Sequence, residues 1–254
     1  MYPLDDLYER YRFSKLYELV SRARGTSYAT VMDSDRAFFR RFFTAQSIRT
    51  VFDVGSNIGD KASVFAGLSE RVLCIEADPS TAAKLSLRFA FEEKVSVEAV
   101  AVGSEYGVAR LFRKQHSGFN TLSEKWSDAS EVMGVAQVGT VSVPMTTLDQ
   151  LIAVHGVPDY IKIDVEGFEL PALRGLSASV RAISFEANLP TFIDETEAIL
   201  ERLVGLQPAT HFNLRIMEAT HFHLPRSVDS KLLISTLHGL SPFTCDVFAV
   251  NSPF

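Results

Sequence analysis

The sequence predicts an α/β fold, a mostly parallel sheet with helices on both faces. Short β-rich runs alternate with stretches of helical period. The runs are apolar almost throughout, as strands covered on both faces must be. A length of 254 residues suits one large hydrophobic core. Residues 1–47 read as a helical extension. Leu4, Leu7, Tyr8, Tyr11, Leu16, Leu19 and Val20 recur at helical spacing, and Asp35 precedes the run Ala37, Phe38, Phe42 and Phe43. About two amphipathic helices follow from this pattern, packed on the sheet or covering a site. The sheet domain occupies residues 48–254. Its first strand, 51–54, leads through a glycine-containing turn into a helix from Lys61 to Leu68. The second strand, 71–76, ends in an acid, and Pro79 opens the next helix because proline suits a first helical turn. Residues 95–102 read as the third strand, 109–112 as a further short one, and 160–165 as the fourth, after a helix from Leu148 to Val154. The fifth covers 182–186. Late in the chain 214–216, 232–234 and 245–250 each have strand character.

Composition narrows the function classes. With 46% hydrophobic and 22% charged residues the chain is globular, which excludes disordered and collagen-like classes. The net charge of −6 gives no general attraction to phosphate backbones, so nucleic acid is not an expected partner. Cys74 and Cys245 sit in apolar runs and read as reduced core residues. No basic and apolar leader opens the sequence and no apolar run reaches the ~18 residues of a membrane span, so a cytoplasmic protein is expected.

The most informative segment is Val51-Phe52-Asp53-Val54-Gly55-Ser56-Asn57-Ile58-Gly59-Asp60. In an open α/β sheet the ligand sits beyond the carboxyl ends of the strands, where a glycine turn lets it approach the main chain. An aspartate just before that turn would repel a pyrophosphate and suits a cationic group such as an amino-acid ammonium. Glu76, ending the second strand, is placed to accept hydrogen bonds from a ribose diol. A ligand with both features is S-adenosylmethionine. A nicotinamide oxidoreductase shares the sheet and the second acid, but it requires a third glycine near the helix start and no acid at position 53.

Residues 52–59, Phe-Asp-Val-Gly-Ser-Asn-Ile-Gly, resemble the first motif of class I methyltransferases. Ile161-Lys162-Ile163-Asp164-Val165-Glu166-Gly167-Phe168-Glu169, followed by Leu173-Arg174-Gly175, resembles the hallmark segment of FkbM-type methyltransferases, and Val143-Pro144-Met145-Thr146-Thr147-Leu148-Asp149 echoes the strand and helix before it. The resemblance covers about 48–190. It implies a Rossmann-like sheet of seven strands and methyl transfer, typically to a hydroxyl of a sugar or other small natural product. Carried over by motif, Asp53, Gly55, Ser56, Asn57 and Gly59 hold the methionine end and Glu76 with Ala77 the ribose. Ala101 and Val102 border the adenine, Ser117 approaches the cofactor, and Asp164 faces the sulfonium and the acceptor.

For the proton of a hydroxyl acceptor the candidates are Asp164, Glu166, His116 and His221. Glu166 and Glu169 have a second reading as helix N-terminal acids that satisfy free amides. Ser117, Asn120 and Thr121 are candidates for hydrogen bonds to cofactor or acceptor. Glu186 and Asn188 fall on the same strand edge, and Trp126, Phe119, Phe168 and Phe192 can form an apolar or sugar-stacking wall. His221 and His223 alternate as in a strand and can bind a divalent metal with Glu186 or Asp164, yet the polar face of an edge strand is the commoner reason for His-x-His, and no metal ligand is assigned. The function expected is S-adenosylmethionine-dependent O-methylation of a small-molecule or saccharide hydroxyl. A non-catalytic binding protein on the same fold is the rival reading.

Overall fold

The computed structural model describes residues 15–240 and 243–253. Two helices come first, α1 (Lys15–Ala23) and α2 (Ser27–Gln46). The apolar residues at 4–11 that belong to the predicted first helix lie outside the described residues. Helix α2 starts well before Asp35. Thr26 caps it, accepting from the Ala29 amide at 3.4 Å, and Asp35 is an interior residue 1% exposed.

Then follow β1 (Thr50–Val54), α3 (Asp60–Ala66), β2 (Arg71–Ile75), α4 (Pro79–Arg88) and β3 (Val95–Glu98). An inserted unit comprises β4 (Ala101–Val102), β5 (Gly107–Lys114), a one-turn 3-10 helix (Ser117–Phe119), α5 (Glu124–Val132) and β6 (Gln137–Thr146). The chain continues through α6 (Leu148–His155), β7 (Tyr160–Ile163), α7 (Glu169–Arg174), β8 (Ala182–Leu189), α8 (Ile193–Leu206), β9 (His211–Ile216), α9 (Ser230–Gly239) and β10 (Phe243–Val250).

Seven strands form one sheet in the order β3-β2-β1-β7-β8-β10-β9. It is parallel from β3 to β8, and β10 runs antiparallel to both its neighbours. Strand order reverses between β1 and β7, which opens a crevice at their carboxyl ends. A small sheet, β4-β6-β5, stands beside that crevice. This is the predicted α/β architecture. Among the described residues no helix is long and apolar enough to cross a membrane, and Cys74 and Cys245 are buried free thiols.

Several predicted strands change. Residues 95–102 divide between the two sheets: β3 is an edge strand, and once the Glu98 carbonyl has accepted the Glu76 amide the chain leaves it to pair Ala101 and Val102 with β6. Residues 232–234 are helical. The Asp229 carboxylate caps α9 through the Leu232 amide, and Leu233 and Leu237, four apart, supply its buried stripe. The fourth strand ends at Ile163, because Glu166 (φ 56°) and Gly167 (φ 81°) take left-handed conformations that turn the chain away. The segment with His221 and His223 is a turn rather than a strand. The Asn213 side chain holds it to β9, bonding both the amide and the carbonyl of Leu224.

Candidate active site

The glycine turn after β1 is shaped by close approach. A Cβ on Gly55, whose φ is 79°, would lie 1.7 Å from the Asp164 carbonyl oxygen, so only glycine lets β1 and β7 end side by side. Next in the turn, Asn57 also has positive φ, 46°, and donates its amide to Glu76 Oε2 at 2.8 Å. Glu76 Oε1 accepts the Asp78 amide at 2.8 Å. Two main-chain donors thus aim this carboxyl, while burial pushes it up to about 7. Asp78 opposes its own burial through Arg113, at 2.5 and 3.0 Å, and lies below the usual carboxylate range. That ion pair fastens β5, and with it the small sheet, to the N-terminus of α4.

A cavity of about 270 Å³ fills the crevice. Glu76, Ala77 and Asn57 line one side, and Asp164, Val165 and Glu166 another. Ile75, Val100, Ala101, Val102 and Leu111 make an apolar wall, and Ser117, Gly118, Asn120, Thr121 and Leu122 close it from the inserted unit. Gly55, Asn57, Glu76, Ala77, Ala101, Val102, Ser117, Asp164 and Glu166, all singled out from sequence, therefore meet at one cavity. Asp53, Ser56 and Gly59 stand behind it. Ser56 donates its hydroxyl to the Asp53 carbonyl at 2.6 Å, and a Cβ on Gly59 would strike Leu85 and Phe89 at 2.5 and 2.6 Å. His116 is exposed outside the lining. His221 lines a separate groove on the outer side of α2 with Phe38, Arg41 and Phe42.

Asp53 is fully buried, and among the described residues neither carboxylate oxygen has a hydrogen-bond partner. Its nearest cation is the Lys162 ammonium, 3.9 Å away, which also bonds Asp164 Oδ2 at 2.8 Å. Register explains the pairing: Asp53 and Lys162 lie side by side on β1 and β7. Burial alone would depress the Lys162 ammonium, but Asp164 and Asp53 outweigh it and hold the group above its ordinary range. The sequence reading passed over Lys162, although a lysine within an otherwise apolar strand was a visible signal.

The acids converge beyond Asp164. Glu169, 5% exposed, accepts the amides of Val165 and Gly167 at 3.0 and 3.2 Å, the amide-satisfying role open to it from sequence. Its carboxyl rises with burial to about 7. Glu186 Oε2 accepts from the Asn188 side-chain Nδ2 at 2.9 Å. One carboxylate oxygen each from Asp164, Glu166 and Glu186 lies within 4.8 Å of the others, a spacing suited to a cation. Burial raises both Glu166 and Glu186, and neighbouring acids raise them further. Trp126 abuts this turn, with its Cβ 2.9 Å from where a Cβ on Gly167 would stand, and packs against Phe119 and Phe192.

A glycine turn preceded by the buried Asp53, an acid-ended second strand and a cavity at the switch point fit a class I methyltransferase-type protein. The chain belongs to the FkbM methyltransferase family, whose model, the methyltransferase FkbM domain, matches residues 53–229. It is 25% identical over 143 residues to hexuronic acid methyltransferase AglP of Haloferax volcanii, a match covering 56% of this chain and 55% of that protein. The solved FkbM methyltransferase of Methylobacillus flagellatus superposes with a TM-score of 0.50 and 19% identity, over 80% of this chain and 44% of the other. An O-methyltransferase from Bacillus cereus, solved in complex with SAH, gives a TM-score of 0.44 and 15% identity, over 85% and 79%. The chain spans about half the length of the first two relatives.

Proposed function

We propose that this protein transfers a methyl group from S-adenosylmethionine to a hydroxyl of a saccharide or related small molecule. The observation that carries the reading is the polarity of the cavity: an aimed carboxyl at Glu76, an apolar wall, and a cluster of acids at Asp164 and Glu166. The cofactor fits this sequence of surfaces. Glu76 would accept from the ribose hydroxyls, Ala101, Val102 and Leu111 would border the adenine, and the acids would face its cationic centres. Gly55 leaves the main chain open beside it, and Asp53 would act from behind through Lys162. The relative named for hexuronic acid supports a saccharide acceptor.

Bound there, the cofactor supplies a methyl already activated by a positive sulfur. The protein's own task is alignment and removal of the acceptor proton. Glu166 suits that task best. Its raised pKa makes it a stronger base than an ordinary carboxylate, and a nearby cation would favour its ionised form. Asp164, tethered by Lys162, holds one oxygen fixed and leaves Oδ1 without a protein partner among the described residues. Phe119, Trp126 and Phe192 pack on one another beside the acid turn, outside the cavity lining and with the latter two buried, so they brace the turn rather than offer the expected stacking wall to a sugar.

Titration calorimetry tests the cofactor. Both S-adenosylmethionine and S-adenosylhomocysteine should bind, and Glu76→Ala should weaken each by about tenfold or more, the effect of losing a charge-assisted contact of ~1.5–3 kcal/mol. No heat from either ligand with the wild-type protein overturns the proposal. Mass-spectrometric detection of a methylated product across a panel of hydroxylated saccharides then separates an enzyme from a binding protein.

A further inference from the structure

The segment after β5 reaches both sides of the cavity, and its two ends meet two unusual backbone positions. Ser117 donates its hydroxyl to Asn57 Oδ1 at 2.9 Å, and Thr121 donates to the Glu166 carbonyl at 2.7 Å. Asn57 and Glu166 are both non-glycine residues with positive φ, 46° and 56°; asparagine takes this conformation readily, whereas glutamate does so only when its surroundings hold it there. The segment itself is anchored. Phe112 and Thr121 exchange main-chain hydrogen bonds at 2.8 and 3.1 Å, and Asn120 Oδ1 accepts the Lys114 amide at 2.8 Å.

The two contacts differ in kind. Ser117 is exposed and its bond to Asn57 joins two side chains. Thr121 is 1% exposed and its hydroxyl is fully engaged, accepting the Ser123 amide at 2.8 Å while it donates to Glu166. On the other side of the same turn, Glu169 holds the amides of Val165 and Gly167. The left-handed Glu166 is therefore pinned by its carbonyl from one direction and by its flanking amides from the other. Without the Thr121 bond that carbonyl loses its partner and the turn is free to relax, taking the Glu166 carboxylate away from Asp164 and Glu186.

We propose that Thr121 is the positioning residue for Glu166, and that residues 117–121 couple filling of the cavity at Asn57 and Glu76 to the setting of the acid turn at 164–168. The coupling rests on the cofactor reading above; the positioning role does not. Because Ser117, Gly118, Asn120 and Thr121 all line the cavity, a ligand resting on the Glu76 side stiffens the segment, and the Thr121 hydroxyl passes that restraint to Glu166. Acceptor chemistry then follows cofactor loading.

Hydrogen exchange read by mass spectrometry, on the intact chain with and without S-adenosylhomocysteine, tests both parts. In the free protein Thr121→Val, which keeps the side-chain shape, should speed exchange across 164–168 by about fivefold and leave 55–59 unchanged, while Thr121→Ser restores the wild-type rate. In the wild type, saturating ligand should slow exchange in both segments. In Thr121→Val it should slow 55–59 alone. Ser117→Ala, an exposed change that leaves the fold intact, should preserve the free-state rate at 164–168 and shrink its response to ligand. Wild-type rates at 164–168 in free Thr121→Val overturn the positioning role. Undiminished ligand protection of 164–168 in both variants overturns the coupling. Absence of any ligand effect on the wild type overturns the cofactor reading, and leaves the free-state comparison to decide the role of Thr121. Should Thr121→Val fail to fold, the Ser117→Ala comparison decides the coupling.

Discussion

The two faces of the large sheet solve burial differently. Under α6, α7, α8 and α9 the strands present Phe52, Val54, Ile161, Ile163, Ile183, Phe185, Leu214 and Val247, an apolar surface with no charge in it. Under α2 and α3 the opposite face divides along the strands. Its amino-terminal half is aromatic, with Tyr160 and Phe248 meeting Phe38, Phe39, Phe42 and Phe43 of α2. Towards the sheet edge where the parallel strands end, the same face carries Asp53, Lys162, Arg215 and, from the amino-terminal half of antiparallel β10, Asp246. Alternation along each strand decides which residue faces which way, so a charge placed one position over would have entered the apolar face. Buried charge on this face is paired at Lys162, which lies between Asp53 and Asp164, and at Arg215, while burial raises the carboxyls of Asp53 and Asp246. Arg215 reaches Asp35 at 2.8 Å and Lys61 reaches the same carboxylate at 2.5 Å, with Asp35 and Arg215 both nearly inaccessible. The lesson is that the second face carries ions only toward the edge where the cavity opens. The helix covering it is held by an ion triad at its middle and by rings along the half that follows.

Breaking that triad should have the largest effect. Asp35→Ala leaves Arg215 buried without its partner and should cost about 3–5 kcal/mol in urea unfolding, whereas Asp35→Leu with Arg215→Met should recover most of the loss. A single mutant within ~1 kcal/mol of wild type would show that water, not Asp35, compensates Arg215. On the apolar face loss should follow volume alone. Leu200→Ala is expected to cost about 2–5 kcal/mol and Ile163→Val about 0.5–1.5, measured the same way.

A pH-dependent effect concerns the charged rim. Burial holds the Glu169 carboxyl at about 7, above its ordinary 4.5, so the folded chain binds that proton more tightly than the unfolded chain does. The stability this contributes is fully present below about pH 4.5 and is lost as pH rises through about 7. Glu169→Gln keeps an oxygen acceptor for the Val165 and Gly167 amides but cannot ionise. Relative to wild type it should therefore gain up to about 3 kcal/mol across that window. A constant difference between the two proteins from pH 4.5 to 7 would show that Glu169 is not shifted.

Much of this was readable from local pattern. The strand-helix alternation, the glycine turn at 55–59 and the acid at Glu76 are local signals, and the structure gathers Gly55, Asn57, Glu76, Ala101 and Asp164 at one cavity. Where the pattern misled, a cap three residues upstream or a side chain from a neighbouring strand decided. Leu232-Leu233-Ile234 reads as a strand until the Asp229 cap is seen, and His221 with His223 until Asn213 is found holding that segment to β9.

The sequence by itself determined the fold class, the family and the residue types at the strand ends, because hydrophobic period, glycine and proline act within a few residues of where they stand. Only the tertiary structure decided what Asp53 faces, that Lys162 bridges it to Asp164, and that Thr121 grips Glu166 from 45 positions away. Those outcomes depend on strand register and on which residue of an unrelated segment comes within about 3 Å, a distance at which hydrogen bonds form and which no local pattern encodes.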